Sequence, residues 1–298
     1  MVGMRGLQGK ASGTALVVLS AACFGVQPIL ARFAYAAGMG VSAVLAYRFL
    51  IAVPLFWLIL LASRQSARMR QRDAVVLFLL GAVGYALFST MYFDAVAMIP
   101  AAAAAGLLYA YPTLVALLQS GFGRERLGAR LWWALVAATV GTLLVLGAST
   151  HGLRPLGAGL ALGAALAYAL YLIIGHSVLA RVPALPATAV MTTGAGLTLV
   201  LVSVLSGHAA PPGSLPAWAA VAGLAVITTV VSVLALFAGM ARIGPTRASI
   251  LNTVEPLVTA GAAALLLGER LGIPQYLGIV LVVASASRVT SGSGKATG

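Results

Sequence analysis

The stretch PTLVALLQSGFGRERLG, Pro112 to Gly128, and the stretch PLVTAGAAALLLGERLG, Pro256 to Gly272, decide the fold. Each holds a proline followed thirteen residues later by Glu-Arg-Leu-Gly, and the two copies lie 144 positions apart without a gap. The same shift pairs Phe93 with Phe237, Ile99 with Ile243 and, further upstream, Phe24 with Tyr168. Matches of Ala and Leu carry little weight in so apolar a chain; the prolines and the Glu-Arg-Leu-Gly runs carry the repeat. Such periodicity dictates architecture before any single element does.

Outward from the repeat, the composition names the solvent. Of 298 residues 61% are hydrophobic and 8% charged, against about 25% charged in ordinary soluble domains. Apolar runs fall at 12–33, 41–62, 74–97, 101–120, 129–147, 156–178, 186–206, 217–240, 245–266 and 273–289. A spanning helix needs about 20 such residues. The runs are long and rich in Ala, Leu and Gly rather than alternating, which excludes strands and a β-barrel. An all-α integral membrane protein of ten transmembrane helices is expected. It divides into a cytoplasmic tail (1–11), a first five-helix unit (12–147), a second (156–289) and a flexible C-terminal tail (290–298). The first run is too long for a secretory signal and lacks a small-residue cleavage site, so it reads as a retained helix.

Basic residues set the orientation. With the N-terminus in the cytoplasm, 14 Lys and Arg fall on the cytoplasmic side and 3 (Arg32, Arg154, Arg270) on the other, with Arg48 inside a span. Positive residues favour the cytoplasm, so both termini are expected there. The net charge of +13 is spread over short loops, which argues against nucleic acid as a partner. Five spans per unit is an odd number, so the second unit enters the membrane from the opposite side. Inverted repeats of this kind give two similar packings, one open to each face, and recur in alternating-access transporters with midplane sites.

The paired proline and Glu-Arg-Leu-Gly motifs at the fourth-to-fifth helix junctions, with Arg48-Phe49 early in the second span and Glu255-Pro256 in the ninth, resemble the drug/metabolite transporter superfamily, specifically its EamA-type branch. The resemblance covers about residues 12–289 and implies two inverted five-helix repeats in an inner membrane. It also implies export of amino acids, other metabolites or toxic compounds. The first copy has Tyr111 where the second has Glu255.

No catalytic constellation is expected. His151, His176 and His208 are scattered, and no metal motif, nucleotide loop or Cys cluster exists beside the lone Cys23. No cofactor or metal is expected, and the chain reads as a transporter rather than an enzyme. A non-transport receptor or assembly subunit is the alternative, and a membrane-embedded enzyme a weaker one. Three charges fall within spans, where charge is expensive and usually has a purpose: Arg48, Asp94 and Glu255. The depths of Arg48 and Asp94 suggest a structural ion pair or an outer gate. Glu255 sits at the middle of span nine, before a proline that leaves a carbonyl near Asn252 without its partner; Pro112 and Pro256 are candidate helix kinks.

Aromatic residues gather at the same depth: Tyr85, Phe88 and Tyr92 on one stripe, Tyr168 and Tyr171 on another, Phe24 with Gln27 on the first span. Tyr109 and Tyr111 are two residues apart on a helix and should point apart; the repeat favours Tyr111 for the common cavity. With Asn252 and Glu255 these form a candidate substrate-binding wall suited to amino acids, aromatic compounds or flat cations. The expected partners are a small-molecule substrate and the lipid bilayer. Ten helices suffice to enclose a pathway, so a monomer is the default and a homodimer the alternative.

Overall fold

The computed structural model describes residues 2–99, 101–121, 128–147, 154–267 and 272–291, and every regular element among them is helical. The first half comprises α1 (Val2–Gly25), α2 (Gln27–Ala36), α3 (Val41–Ala62), α4 (Gln71–Leu79), α5 (Ala86–Met98), α6 (Ala101–Leu108), α7 (Tyr111–Gly121) and α8 (Ala129–Leu146). The second comprises α9 (Pro155–Leu179), α10 (Ala184–Leu205), α11 (Leu215–Ala225), α12 (Ser232–Ile243), α13 (Pro245–Asn252), α14 (Glu255–Leu267) and α15 (Ile273–Ser291). Seven continuous stretches are long and apolar enough to cross a bilayer: Ala11–Ala36, Val41–Ala62, Gln71–Tyr92, Ala129–Leu146, Pro155–Leu179, Ala184–Leu205 and Leu215–Ile243. The chain is an all-α membrane protein. Glu125, Arg126 and Leu127, their counterparts Glu269, Arg270 and Leu271, His151 and residues 292–298 lie outside the described residues.

Polarity is distributed as a bilayer demands. Leu61, Leu205, Leu215 and Leu265 are 72%, 77%, 82% and 86% exposed, whereas Ser20, Thr228, Thr229, Ser232 and Asn252 are buried. Outward leucines cost nothing against hydrocarbon, and inward hydroxyls join helices that have no hydrophobic force between them. Ser232 donates to the Ser20 carbonyl at 3.0 Å, tying α12 to α1, and the Trp57 indole donates to Thr193 at 3.0 Å, tying α3 to α10.

Two pairs of irregularities recur in the two halves, the first close to the repeat shift and the second matching it. Residues Leu80–Tyr85 and Val226–Val231 wind as π-turns inside otherwise continuous helices, α4 into α5 and α11 into α12. Residues 109–110 separate α6 from α7, and residues 253–254, 144 positions later, separate α13 from α14. The cause of the second pair lies in Pro112 and Pro256. Neither has an N–H to donate, so the carbonyls of Leu108 and Asn252 lose their helical partners. The chain tightens into shorter-range bonds there: Ala110 N–H donates to the Leu107 carbonyl at 3.1 Å, and Val254 N–H to the Leu251 carbonyl at 3.2 Å. The first span breaks too, at Val26 ahead of Pro28, a break the hydropathy of residues 12–33 does not show.

Packing between the halves repeats under the same shift. Helix α8 lies along α15; α1 packs on α12 as α9 packs on α5; α3 packs on α10. Close approach is set by glycine at two crossings. A Cβ on Gly81 would strike the Met191 carbonyl, and one on Gly194 the Phe78 carbonyl, so the π-turn of the third span lies directly against α10. Gly141 and Gly278 do the same for α8 and α15, each facing the other's carbonyl. Arg181 donates to the Asp73 carboxylate at 2.7 Å, joining the start of α4 to the turn before α10.

Candidate solute-binding site

The two broken helices meet at their breaks. Tyr111 opens α7 and Glu255 opens α14, each immediately ahead of its proline. The Asn252 amide donates to the Tyr111 hydroxyl at 3.3 Å and to the Glu255 carboxylate at 3.3 Å, so one side chain spans both half-helices. The Tyr111 hydroxyl also reaches the Ser249 carbonyl at 3.5 Å. The Glu255 carboxylate lies in the first turn of α14, at the positive end of that helix dipole. The Asn252 Oδ1 is buried and has no hydrogen-bond partner. Buried amide oxygens are almost always satisfied, so an unpaired one beside a carboxylate is an open acceptor. Thr259, one turn into α14, donates to the Gly25 carbonyl at 2.9 Å and fixes the break of the first span against the same region.

Around these groups stands a wall of rings. Tyr168 is its hub, 4.8 Å from Tyr111, 4.9 Å from Phe88 and 6.0 Å from Tyr171, centre to centre. Tyr85 touches Phe88 at 5.7 Å and Tyr171 at 6.3 Å, and Phe88 stacks on Tyr92 at 6.4 Å. The spacing of Tyr85, Phe88 and Tyr92 puts them on one face across the end of the π-turn, and α9 supplies the facing pair. Phe24 packs against the same core and lines a cavity with Tyr85 and Tyr171. Gln27 opens α2 at the break of the first span and takes part in none of the ring contacts or hydrogen bonds of the cluster.

Two expectations are corrected. Tyr109 and Tyr111 do not point apart: their rings lie 6.1 Å apart and both are buried. Regular helical spacing does not run through residues 109–110, so the angle expected of an unbroken helix is lost. Arg48 and Asp94 are not partners. The Arg48 guanidinium is buried and donates through Nε to the Thr229 hydroxyl at 2.5 Å and through Nη2 to the Thr228 carbonyl at 3.0 Å, while Asp94 is exposed. The π-turn of the eighth span explains the choice, because its widened winding leaves the 228 carbonyl and the 229 hydroxyl facing α3. Depth along a helix can be read from sequence, but the direction around it cannot.

Sequence reasoning also missed Phe49 and Phe237, which extend the wall to 5.4 Å from Tyr85 and 5.6 Å from Tyr171 respectively. Each had a signal: Phe49 follows Arg48, and Phe237 is the repeat partner of Phe93. Among the described residues no group of His, Cys, Asp and Glu is placed to hold a metal.

Comparison with known proteins places this geometry in a family. The model of the EamA-like transporter family matches residues 11–147 and again residues 155–290. The transporter YcbK of Bacillus subtilis (strain 168) is 30% identical over 278 residues, 90% of this chain and 89% of its own. The inner membrane transporter YicL of Salmonella typhimurium is 30% identical over 222 residues, 72% of each chain. The pseudopaline exporter CntI of Pseudomonas aeruginosa is 31% identical over 134 residues, 45% of this chain and 46% of its own. A solved crystal structure shares the fold with a TM-score of 0.80 at 20% identity, over 95% of this chain and 98% of that one.

Proposed function

The chain belongs to the EamA-like transporter family, and on that footing we propose that it exports small organic amines with an apolar or aromatic body. It does so by alternating access around the junction of its two broken helices. Membrane transport is the activity of the family and of its relatives. The finer reading rests on one observation: at the junction, the Glu255 carboxylate and the unpaired Asn252 Oδ1 converge beneath a wall of tyrosine and phenylalanine rings. A protonated amine donates to both acceptors, and its organic part lies against the rings, whose faces attract cations. Amino acids, aromatic amines and flat organic cations all fit this description.

Counting the seven long helices, the two broken pairs α6–α7 and α13–α14, and α15 gives ten spans. Five per unit inverts the second against the first. The halves then rock about a pseudo-two-fold axis that relates one break to the other. The excess of basic residues on one side supports cytoplasmic termini, and the names of YicL and CntI support an inner membrane and an outward direction.

Counterflow in proteoliposomes tests the reading. Vesicles preloaded with one of a panel of amino acids, aromatic amines and organic cations are expected to accumulate labelled solute of the same class, saturably and without any ion gradient. Flux that never saturates, or exchange confined to solutes without an amine, overturns it.

A further inference from the structure

Among the described residues Arg48 is a buried cation without a counter-ion. Its side chain is 3% exposed, and both of its protein acceptors are neutral, the Thr229 hydroxyl and the Thr228 carbonyl. A guanidinium carries five N–H groups; three of these have no acceptor among the described residues. The Phe49 ring lies 5.7 Å away and offers a polarisable face but no charge. The nearest charged candidate by depth, Asp94, is exposed on another helix. A charge held this way inside a bilayer protein calls for an anion from elsewhere.

A cavity of about 30 Å³ opens beside it, lined by Arg48, Thr192, Thr229 and the rings of Phe24, Tyr85 and Tyr171 among others. That is room for a water molecule or one small polar group, not for a whole metabolite. Thr192 is buried and lines the same cavity, so its hydroxyl adds a second donor. The planar fork of a guanidinium matches a carboxylate with two parallel bonds. The rest of the wall is apolar and continuous with the ring cluster through Tyr85 and Tyr171. The rings beside the cavity offer an apolar face to the body of a solute that carries a carboxylate, a contact a free inorganic ion cannot make.

We infer that the Arg48–Thr192 pocket binds the carboxylate of the transported solute, at the far end of the aromatic wall from Glu255 and Asn252. The inference deepens the transport reading and rests on it. A solute spanning both ends is anionic at one and cationic at the other, so the two poles fix its orientation.

The test uses purified full-length protein in detergent with benzoate as the probe, benzyl alcohol as its neutral match and chloride at equal ionic strength. Benzoate is expected to raise the melting temperature saturably, by about 5 °C at high occupancy, with no comparable effect of the other two. Arg48→Met removes the shift, and Thr192→Val weakens benzoate about tenfold, an arm that stands if the arginine variant does not fold. A shift equal for chloride reassigns the pocket to an inorganic ion, and a shift equal for benzyl alcohol or persisting in Arg48→Met removes Arg48 from it; each overturns the inference. Saturable counterflow of a carboxylate-free amine by the same preparation then shows that the transport reading survives its loss.

Discussion

Glu255 stands where the broken helices meet, in the first turn of α14, and its carboxylate accepts from the Asn252 amide. A carboxylate so placed can exchange a proton for a protonated solute, since both compete for the same oxygens. Glu255→Gln keeps the shape and removes the proton site. It is expected to lower uptake driven by a pH gradient about tenfold or more while counterflow persists; unchanged gradient-driven uptake would exclude proton coupling through this residue. Tyr168, the hub of the ring wall, should act through its face rather than its hydroxyl. Loss of stacking is worth about 0.5–1.5 kcal/mol, so Tyr168→Ala raises KM for aromatic solutes about three- to tenfold, and Tyr168→Phe restores it. Equal losses in both variants would move the role to the hydroxyl. At this scale the sequence showed which residue types lie near mid-depth, Tyr85, Phe88, Tyr111, Tyr168 and Glu255 among them. It could not show that the rings of Tyr109 and Tyr111 lie together, because regular helical spacing is lost only where the helix is broken, nor that Arg48 faces Thr229.

Elements carry the next level of explanation. Pro112 and Pro256 were legible as kink sites from the missing N–H alone; that the two breaks meet is a property of how α7 packs on α13, which no local pattern encodes. The π-turns left no signature in hydropathy, since widening a helix changes no residue's polarity. Their packing is nonetheless demanding. Gly81 in the first π-turn has the Met191 carbonyl where a Cβ would sit, and backbone cannot yield as a flexible side chain does. Gly81→Val is expected to destabilise the fold by about 2 kcal/mol or more, read as a lowered melting temperature. Gly159→Ala, whose Cβ meets open space, should match or exceed wild type because alanine is the better helix former. Equal behaviour of the two variants would contradict the tight crossing. The glycines 157, 159 and 163, alike in sequence, are thus unlike in structure: those at 157 and 163 press on Ile99 and Met91, whereas the one at 159 touches nothing.

At the scale of the whole molecule, the proposed alternating access has two halves with breaks 144 positions apart and matched packing partners fitting together in two near-equivalent ways. Alternating access requires that one junction be reached from both faces of the membrane in turn. The Asp73–Arg181 ion pair joins α4 of the first half to the turn before α10 of the second; with Arg181 half exposed it contributes little to stability. The repeat itself was fully legible from Pro112, Pro256 and their Glu-Arg-Leu-Gly partners, because inserted residues would have shifted the register. The most direct test places one thiol at the junction: Ala110→Cys, between the half-helices α6 and α7, in a Cys23→Ser background. A membrane-impermeant thiol reagent is applied to right-side-out and inside-out vesicles with and without transported solute. Labelling from both faces, with solute changing the balance between them, is the predicted result. Labelling confined to one face under every condition, or absent from both, would contradict alternating access at this site.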